Sequence, residues 1–164
     1  MAHVGATDPI SALLQTDATT LVHLRALTSS AGAPAHLAAP VLHAAIAWLE
    51  GPAQAQWHIL EGQVFPALVE SMAGSDAICL RDLTTGLTHE RDQLDSRWRA
   101  TIGPLLKAGV PATPELPAWT AAFERHLQRT DNELLPMVPR LFDDDALDSL
   151  SRACGDLPGT ASPR

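Results

Sequence analysis

Apolar residues recur every three or four positions through four long stretches of this chain, and this spacing constrains its fold more than any other feature. The last stretch is the sharpest example, because Trp119, Phe123 and Met137 share one face with a polar pair, His126 and Thr130. Such spacing is that of an amphipathic α-helix. No segment of useful length alternates apolar and polar residues as a strand would. The sequence therefore predicts an all-α fold in which His126 and Thr130 face inward.

Proline and glycine mark where the predicted helices begin and bend. The expected helix beginnings are Asp8-Pro9, Pro40, Pro117 and Asp143, and Ser75 or Asp76 is expected to cap the third helix. Gly51-Pro52 should bend the second helix rather than end it, because the apolar period keeps its phase across a proline that removes one backbone donor. Gly103-Pro104 should bend or fray the end of the third helix. Asp143 is expected to cap a short last helix that reaches about Ala153.

Four long helices joined by mostly short connections favour an up-down-up-down four-helix bundle with a short C-terminal helix. We assign this bundle to residues 8–154, an N-terminal tail to residues 1–7 and a flexible C-terminal tail to residues 155–164. A chain of 164 residues is long enough for one domain with a sizeable core.

The composition excludes several classes of partner. A net charge of −8, with the 11 Lys and Arg residues scattered, argues against a nucleic-acid or membrane partner. The first residues lack the basic start and apolar run of a signal peptide, and no apolar stretch is long enough to span a bilayer. Cys79 and Cys154 have neither CxxC nor metal-finger spacing, so we expect reduced thiols in a cytoplasmic protein.

The inward faces of the four predicted helices each contribute one or two residues to one level at the middle of the bundle, and several of these residues are polar. The expected positions at this level are Ala18, Gln56, Leu60, Arg91, His126 and Thr130. Four-helix bundles build metal sites at such levels from His and Glu side chains on facing helices. Here the level holds one histidine and no carboxylate. Arg91 offers only donors and would repel a bound iron, so it cannot be a ligand.

Three runs at this level resemble the hemerythrin-like, or HHE cation-binding, domains. They are QWHILEGQVFPALVE (56–70), LTHERDQLDSRW (87–98) and FERHLQRTDNELLPMVPRL (123–141). That family has HxxxE followed by FPAL on its second helix, an EH pair on its third, and HxxxE followed by ELLP on its fourth. The resemblance implies a four-helix bundle with a non-haem di-iron centre that handles oxygen, nitric oxide or iron sensing.

Most ligands that the resemblance implies are replaced in this chain. One of them is kept, His126 on the fourth helix, and the third-helix EH pair reads Glu90-Arg91. The positions of the lost ligands are taken, in chain order, by Ala18, Gln56, Leu60, Arg91 and Thr130.

His126 and Arg91 are both expected to find partners inside the protein. The expected partner of a neutral His126 imidazole is Thr130, Gln56 or Glu133. Arg91 either reaches the surface with its stem buried, or takes the place of the metal as a central cation paired with Glu61 or Glu133. A buried arginine without a partner would be costly, so in the second case one of these carboxylates should be close.

The replaced ligands favour a degenerate di-iron site, and hence a non-enzymatic binding or regulatory module without a cofactor. Such a module would act through a partner protein, a second copy of itself, or a small molecule in the old cavity. An enzyme that uses His126 as a general base is the weakest interpretation, because no nucleophile or carboxylate converges on it.

The alternative is an iron protein that senses or carries oxygen, nitric oxide or iron through a rearranged ligand set. The metal ligands would then be His126, Glu133 and Glu61, joined by His58 or His89. His58 and His89 each lie two positions from the polar level, about 200° around a helix, so they should face away from the core.

Overall fold

The computed structural model describes residues 8–158. This part of the chain forms five helical stretches and contains no strand, which confirms the predicted all-α class. None of its helices combines the length and the apolar character needed to cross a bilayer. The predicted N-terminal tail, residues 1–7, and residues 159–164 lie outside the described residues.

Three of the five stretches are interrupted by a wider, π-helical turn. The first stretch is α1, Pro9–Ser30, and the second contains α2 Ala35–Glu50, α3 Pro52–Ile59, π1 Leu60–Val64 and α4 Phe65–Glu70. The third contains α5 Ser75–Arg97, π2 Trp98–Ile102 and α6 Gly103–Lys107. The fourth contains α7 Leu116–Arg129, π3 Thr130–Leu134, a 3₁₀ turn at Leu135–Met137 and α8 Val138–Leu141, and the fifth is α9, Asp144–Cys154.

Two helix beginnings are capped by an aspartate, and the cap at Asp143 is the predicted one. The predicted cap of the third stretch by Ser75 or Asp76 is wrong, because Gly74 precedes α5 and no side chain caps that helix. The Asp8 carboxylate accepts a hydrogen bond from the backbone N–H of Ser11 at 3.0 Å, just before Pro9 starts α1. The Asp143 carboxylate accepts from the backbone N–H of Ala146 at 2.8 Å and caps α9. Both caps satisfy backbone donors that the first turn of a helix leaves without a partner.

The prediction that the second helix begins near Pro40 is wrong, because α2 begins at Ala35. Pro40 lies inside the second turn of α2, where its missing N–H deprives only the carbonyl of His36 of a helical partner. His36 is exposed, so water can take that place.

The predicted bend at Gly51-Pro52 is confirmed. Gly51 leaves the helical conformation, with φ −108° and ψ −97°, and separates α2 from α3. The hydrogen-bond chain continues across it, because the Gly51 N–H donates to the Ala47 carbonyl and the Gly51 carbonyl accepts from Ala55. A Cβ atom at position 51 would lie 2.9 Å from the Ala47 carbonyl oxygen, so only glycine fits this bend without a shift.

The three π turns share one local feature, a proline two positions after the last residue of the turn. They lie in the segments LEGQVFPAL (60–68), WRATIGPLL (98–106) and TDNELLPMV (130–138). In each, the residue after the turn donates its backbone N–H to the carbonyl five positions earlier; these bonds run from Phe65 to Leu60, Gly103 to Trp98 and Leu135 to Thr130. A proline follows directly each time. Since proline has no N–H and its ring crowds the preceding carbonyls, a wider turn accommodates it inside the helix.

The core consists of two apolar clusters with polar side chains between them. The Leu13 cluster includes Leu13, Trp57, Leu60, Leu87, Leu134 and Leu150, and the Trp119 cluster includes Leu24, Leu49, Leu94, Trp98, Trp119 and Phe123. Along α1 the Leu13 cluster comes first and the Trp119 cluster second. This order reverses in the second stretch, and reverses again in the third and the fourth.

The core extends slightly beyond the predicted boundary at residue 154. Leu157 is buried and belongs to the Leu13 cluster, next to Cys154 at the end of α9. The prediction of a flexible tail is therefore wrong for Leu157, because burial stabilises its apolar side chain in the core.

Candidate functional site

A layer of buried polar side chains separates the two apolar clusters. The polar layer consists of Asp17 on α1, Gln56 on α3, Arg91 on α5, His126 on α7 and Thr130 at the start of π3, and each of these residues is at most 3% exposed. Together with Leu60 and Trp57, these side chains line a cavity of about 10 Å³. That space suits one water molecule at most.

Five of the six positions predicted from the sequence meet at this cavity: Gln56, Leu60, Arg91, His126 and Thr130. The sixth, Ala18, is exposed, and the neighbouring Asp17 takes the buried place. The buried face of α1 runs through Leu13, Asp17 and Leu24, so the prediction at Ala18 is wrong by one residue. An acidic residue can occupy this face because its carboxyl group accepts a hydrogen bond from Gln56 inside the layer.

Asp17 joins α1 to both the second and the fourth stretch. The Gln56 amide donates from Nε2 to Asp17 Oδ1 at 2.7 Å. Asp17 Oδ2 and Asp131 Oδ1 are both buried, and neither accepts a hydrogen bond from an N–H or O–H group of the described residues. Burial raises the pKa of the Asp17 carboxyl group well above its usual range, and a hydrogen bond to Asp131 raises it further. One proton on Asp17 Oδ2, donated to Asp131, therefore satisfies both oxygens.

The variant Asp17→Asn is expected to be more stable than the wild type at pH 7.5, by about 1 kcal/mol, the usual net contribution of one hydrogen bond. An asparagine keeps the bond from Gln56 and donates to Asp131 without needing a proton. Because the folded-state pKa of Asp17 is raised, its ionisation costs stability at high pH, and this cost shrinks as the pH falls towards the unfolded pKa of about 4. Urea unfolding across this pH range measures the gain.

The exposed Asp92→Asn substitution is the matched control for that gain, since it makes the same change from a carboxyl group to an amide at an exposed position. A stabilisation common to both variants would reflect net charge alone. A loss of stability in Asp17→Asn at pH 7.5 would contradict the shared proton.

Arg91 is held at the centre of the layer by two polar partners and two aromatic rings. Its Nε atom donates to Asp95 Oδ1 at 2.9 Å, and Nη2 donates to Gln54 Oε1 at 2.6 Å. The guanidinium carbon lies 5.0 Å from the ring centre of Phe123 and 5.4 Å from that of Trp57. Both distances are within the range of cation–π attraction. The charge is thus balanced inside the protein, and Arg91 does not reach the surface.

The predicted partners of Arg91, Glu61 and Glu133, are wrong. Glu61 is exposed on π1, and Glu133 is exposed and faces Arg129 Nε at 3.4 Å. Asp95 reaches the guanidinium instead because it lies four residues further along the same helix, where side chains are neighbours.

His126 is a neutral imidazole bonded to a residue that sequence reasoning did not select. Its Nδ1 atom lies 3.3 Å from Glu90 Oε2, and the other oxygen of Glu90 accepts from Arg129. Burial lowers the pKa of His126 to about 4, against the opposing effect of Glu90. Because a carboxylate only accepts, Nδ1 carries the ring proton and Nε2 keeps its lone pair.

The three predicted partners of His126 are therefore wrong: Thr130, Gln56 and Glu133. Thr130 does bond to His126, but its hydroxyl donates to the backbone carbonyl at 3.0 Å rather than to the imidazole. Gln56 is already bonded to Asp17. The ring of His126 packs instead at an angle against Trp57, with 5.2 Å between ring centres.

The layer does not fit the di-iron centre that the resemblance implies. His58 and His89 are exposed, as their position on the helices predicts, and Glu61 and Glu133 are exposed as well. Within residues 8–158 no three His, Cys, Asp or Glu side chains are close enough together to hold a metal ion. A carboxylate bonded to an imidazole, as in Glu90 and His126, is a frequent support of metal ligands, yet here the side chain across the cavity is a guanidinium.

A second, larger cavity lies beside the polar layer, and Arg91 and Phe123 line both this cavity and the smaller one. Its volume is about 180 Å³, and it is partly open to solvent. Residues of the second, third and fourth stretches line it, among them Glu50, Gln54, Trp98, Arg99 and Trp119. The sequence offered no signal for this cavity, because it depends on how three helices are spaced.

Gln54, Asp95 and Asp131 were not identified from the sequence, and neither Asp17 nor Glu90 was assigned to the site. Only Asp95 carried a usable signal, since its spacing of four from Arg91 is that of a helical ion pair. The others meet through contacts between different stretches of the chain.

No protein-family model, curated protein or solved structure matches this chain. The resemblance to the hemerythrin-like domains therefore depends on the motifs at 56–70, 87–98 and 123–141 alone.

Proposed function

We propose that this chain is a hemerythrin-like protein whose di-iron site is degenerate, and that it acts as a non-enzymatic binding or regulatory module. One observation carries the proposal. At the positions where the resemblance implies metal ligands, the chain has a buried layer centred on Arg91, whose guanidinium is bonded to Asp95 and Gln54.

The order of the two apolar clusters supports the up-down-up-down bundle within this proposal. Each successive stretch from α1 to α8 meets the clusters in the opposite order, as antiparallel neighbours would. Contacts of α1 with α2, α3 and α7, and of α5 with α4 and α7, agree with this arrangement.

Electrostatics and space both disfavour a metal at the polar layer. A cation at roughly 5 Å from the Arg91 guanidinium would be repelled by about 3 kcal/mol per unit charge, even with an effective dielectric constant of about 20. The cavity of about 10 Å³ has no space for two iron ions with a bridging oxygen unless the surrounding side chains move. These residues would have to be rearranged before they could bind iron.

Iron content is the direct test of the degenerate site. Protein purified from iron-supplemented cells is expected to contain far less than one iron per chain, to lack the near-ultraviolet absorption of oxo-bridged iron, and to melt cooperatively. Stoichiometric iron that disappears in His126→Ala would overturn the proposal. His89→Ala is the matched control, because this histidine is exposed and lies outside the polar layer.

A further inference from the structure

The cavity of about 180 Å³ beside Arg91 has the size of a small ring compound. An engineered apolar cavity of about 150 Å³ holds one benzene molecule, so this space admits a single aromatic ring with a short substituent. The polar layer next to it, with its cavity of about 10 Å³, admits no such molecule. A small-molecule ligand of this protein would therefore bind beside the old metal position rather than in it.

Aromatic side chains form one side of this cavity. Trp98 and Trp119 stack with ring centres 5.2 Å apart, and Phe123 meets Trp119 edge-on at 5.3 Å. A hydrogen bond from Trp119 Nε1 to the Leu94 carbonyl fixes one of these rings. Trp119 and Phe123 are at most 2% exposed, so the ring surface open to a ligand is mainly that of Trp98, which is 8% exposed. A planar ring suits this flat, rigid wall, because stacked and edge-on contacts add to the burial of apolar surface.

Among the residues that the structure describes, one cation that lines the cavity has no ion pair. Glu50 is paired with Lys107 at 2.6 Å and also accepts from Trp98 Nε1. Asp95 is paired with Arg91 at 2.9 Å. Arg99 also lines the cavity, and it has no ion pair with any of the described residues. In a protein of net charge −8, this cavity is thus a local site of positive charge.

We propose that the cavity binds a small aromatic monocarboxylate, with its ring against Trp98 and its carboxylate towards Arg99. The two acids of the cavity do not repel this anion strongly, because each is already neutralised by its own base. This ligand class rests on the proposed function as a binding module and specifies what the module binds.

Three ring compounds of nearly equal size separate the contributions of shape and charge. Benzoate, benzamide and benzylamine carry a negative, a neutral and a positive substituent, and tryptophan fluorescence with calorimetry reports their binding. We expect saturable binding of benzoate, about five-fold tighter than that of benzamide, since an exposed ion pair contributes up to about 1 kcal/mol. Benzylamine should bind weakest. Equal affinities for the three compounds, or no binding of benzoate, would overturn the ligand class.

Two substitutions locate the binding at this cavity. Arg99→Gln is expected to remove the preference for benzoate over benzamide, whereas Arg97→Gln, at an exposed position that does not line the cavity, should retain it. Leu49→Phe places extra volume into the cavity wall and should abolish the binding of all three compounds, with melting curves recorded to show that the variant folds. Retained preference in Arg99→Gln would overturn the proposed site.

Iron analysis of the same preparations separates the two proposals. Iron-free protein that does not bind benzoate overturns the ligand class alone. Stoichiometric iron that disappears in His126→Ala overturns the proposed function, whatever the result with benzoate.

Discussion

Replacing Arg91 with alanine is expected to lower the free energy of unfolding by about 3 kcal/mol, near the lower end of the cost of breaking a buried ion pair. The substitution removes a buried cation that donates to Asp95 and Gln54 and lies against Phe123 and Trp57. It leaves Gln54 Oε1 without its donor and a space where the side chain was. The Asp95 side chain is 22% exposed, so water partly stabilises its charge, which keeps the cost from being larger.

Urea unfolding at neutral pH measures this loss. Arg97→Ala on the same helix is the control for removing one exposed arginine, and it should change stability by less than about 0.5 kcal/mol. Arg91→Met separates packing from charge, because it keeps an unbranched stem between the two rings. A methionine variant as stable as the wild type would show that the ionic contacts of Arg91 contribute nothing to holding the layer together.

Acidification from pH 6.5 to pH 4 is expected to cost the protein about 3 kcal/mol through His126 alone. Burial lowers the pKa of His126 from 6.5 in the unfolded chain to about 4 in the folded protein, and the charge of Arg91 lowers it as well. The unfolded state thus takes up a proton first as the pH falls. The contribution of the neutral imidazole is complete above pH 6.5 and is lost as the pH approaches 4, at about 1.4 kcal/mol per pH unit.

The His126 contribution is isolated by comparison with His126→Gln, which has no titrating side chain at this position. Stability curves of the two proteins should converge by about 3 kcal/mol between pH 6.5 and pH 4. The raised pKa of Asp17 acts in the opposite direction in both proteins, and the comparison cancels it. Parallel curves would show that His126 is already protonated, or readily solvated, in the folded state.

The helices could be predicted because their determinants are local. The three- and four-residue spacing of leucine and tryptophan follows from the geometry of a single helix, and Asp8 and Asp143 cap their helices through neighbours three residues away. Pro40 misled the prediction because a proline in the second turn of a helix costs little where the carbonyl that it leaves without a partner can reach water.

The site could be predicted in its positions but not in its pairings. Gln56, Arg91 and His126 were found because a polar residue on an apolar face is visible in the sequence. Asp17 and Ala18 lie 100° apart around a helix, and the spacing of α1 allows either of them to face the core. The partner of His126 is Glu90, on another helix, and that choice depends on the rotation of two helices relative to each other.

Each π turn contains one residue more than an α-helical turn, and the additional residue changes the direction in which all later side chains point. One additional residue rotates all later side chains by about 100° about the helix axis. In the second and fourth stretches, Gln56 and His126 precede the extra residue, whereas Phe65 and Leu135 follow it. A single continuous helix can thus direct one of its sides to the polar layer and a different side to the Leu13 cluster. The extra residue thus rotates the later part of the helix relative to the earlier part, and the proline that follows it fixes this rotation.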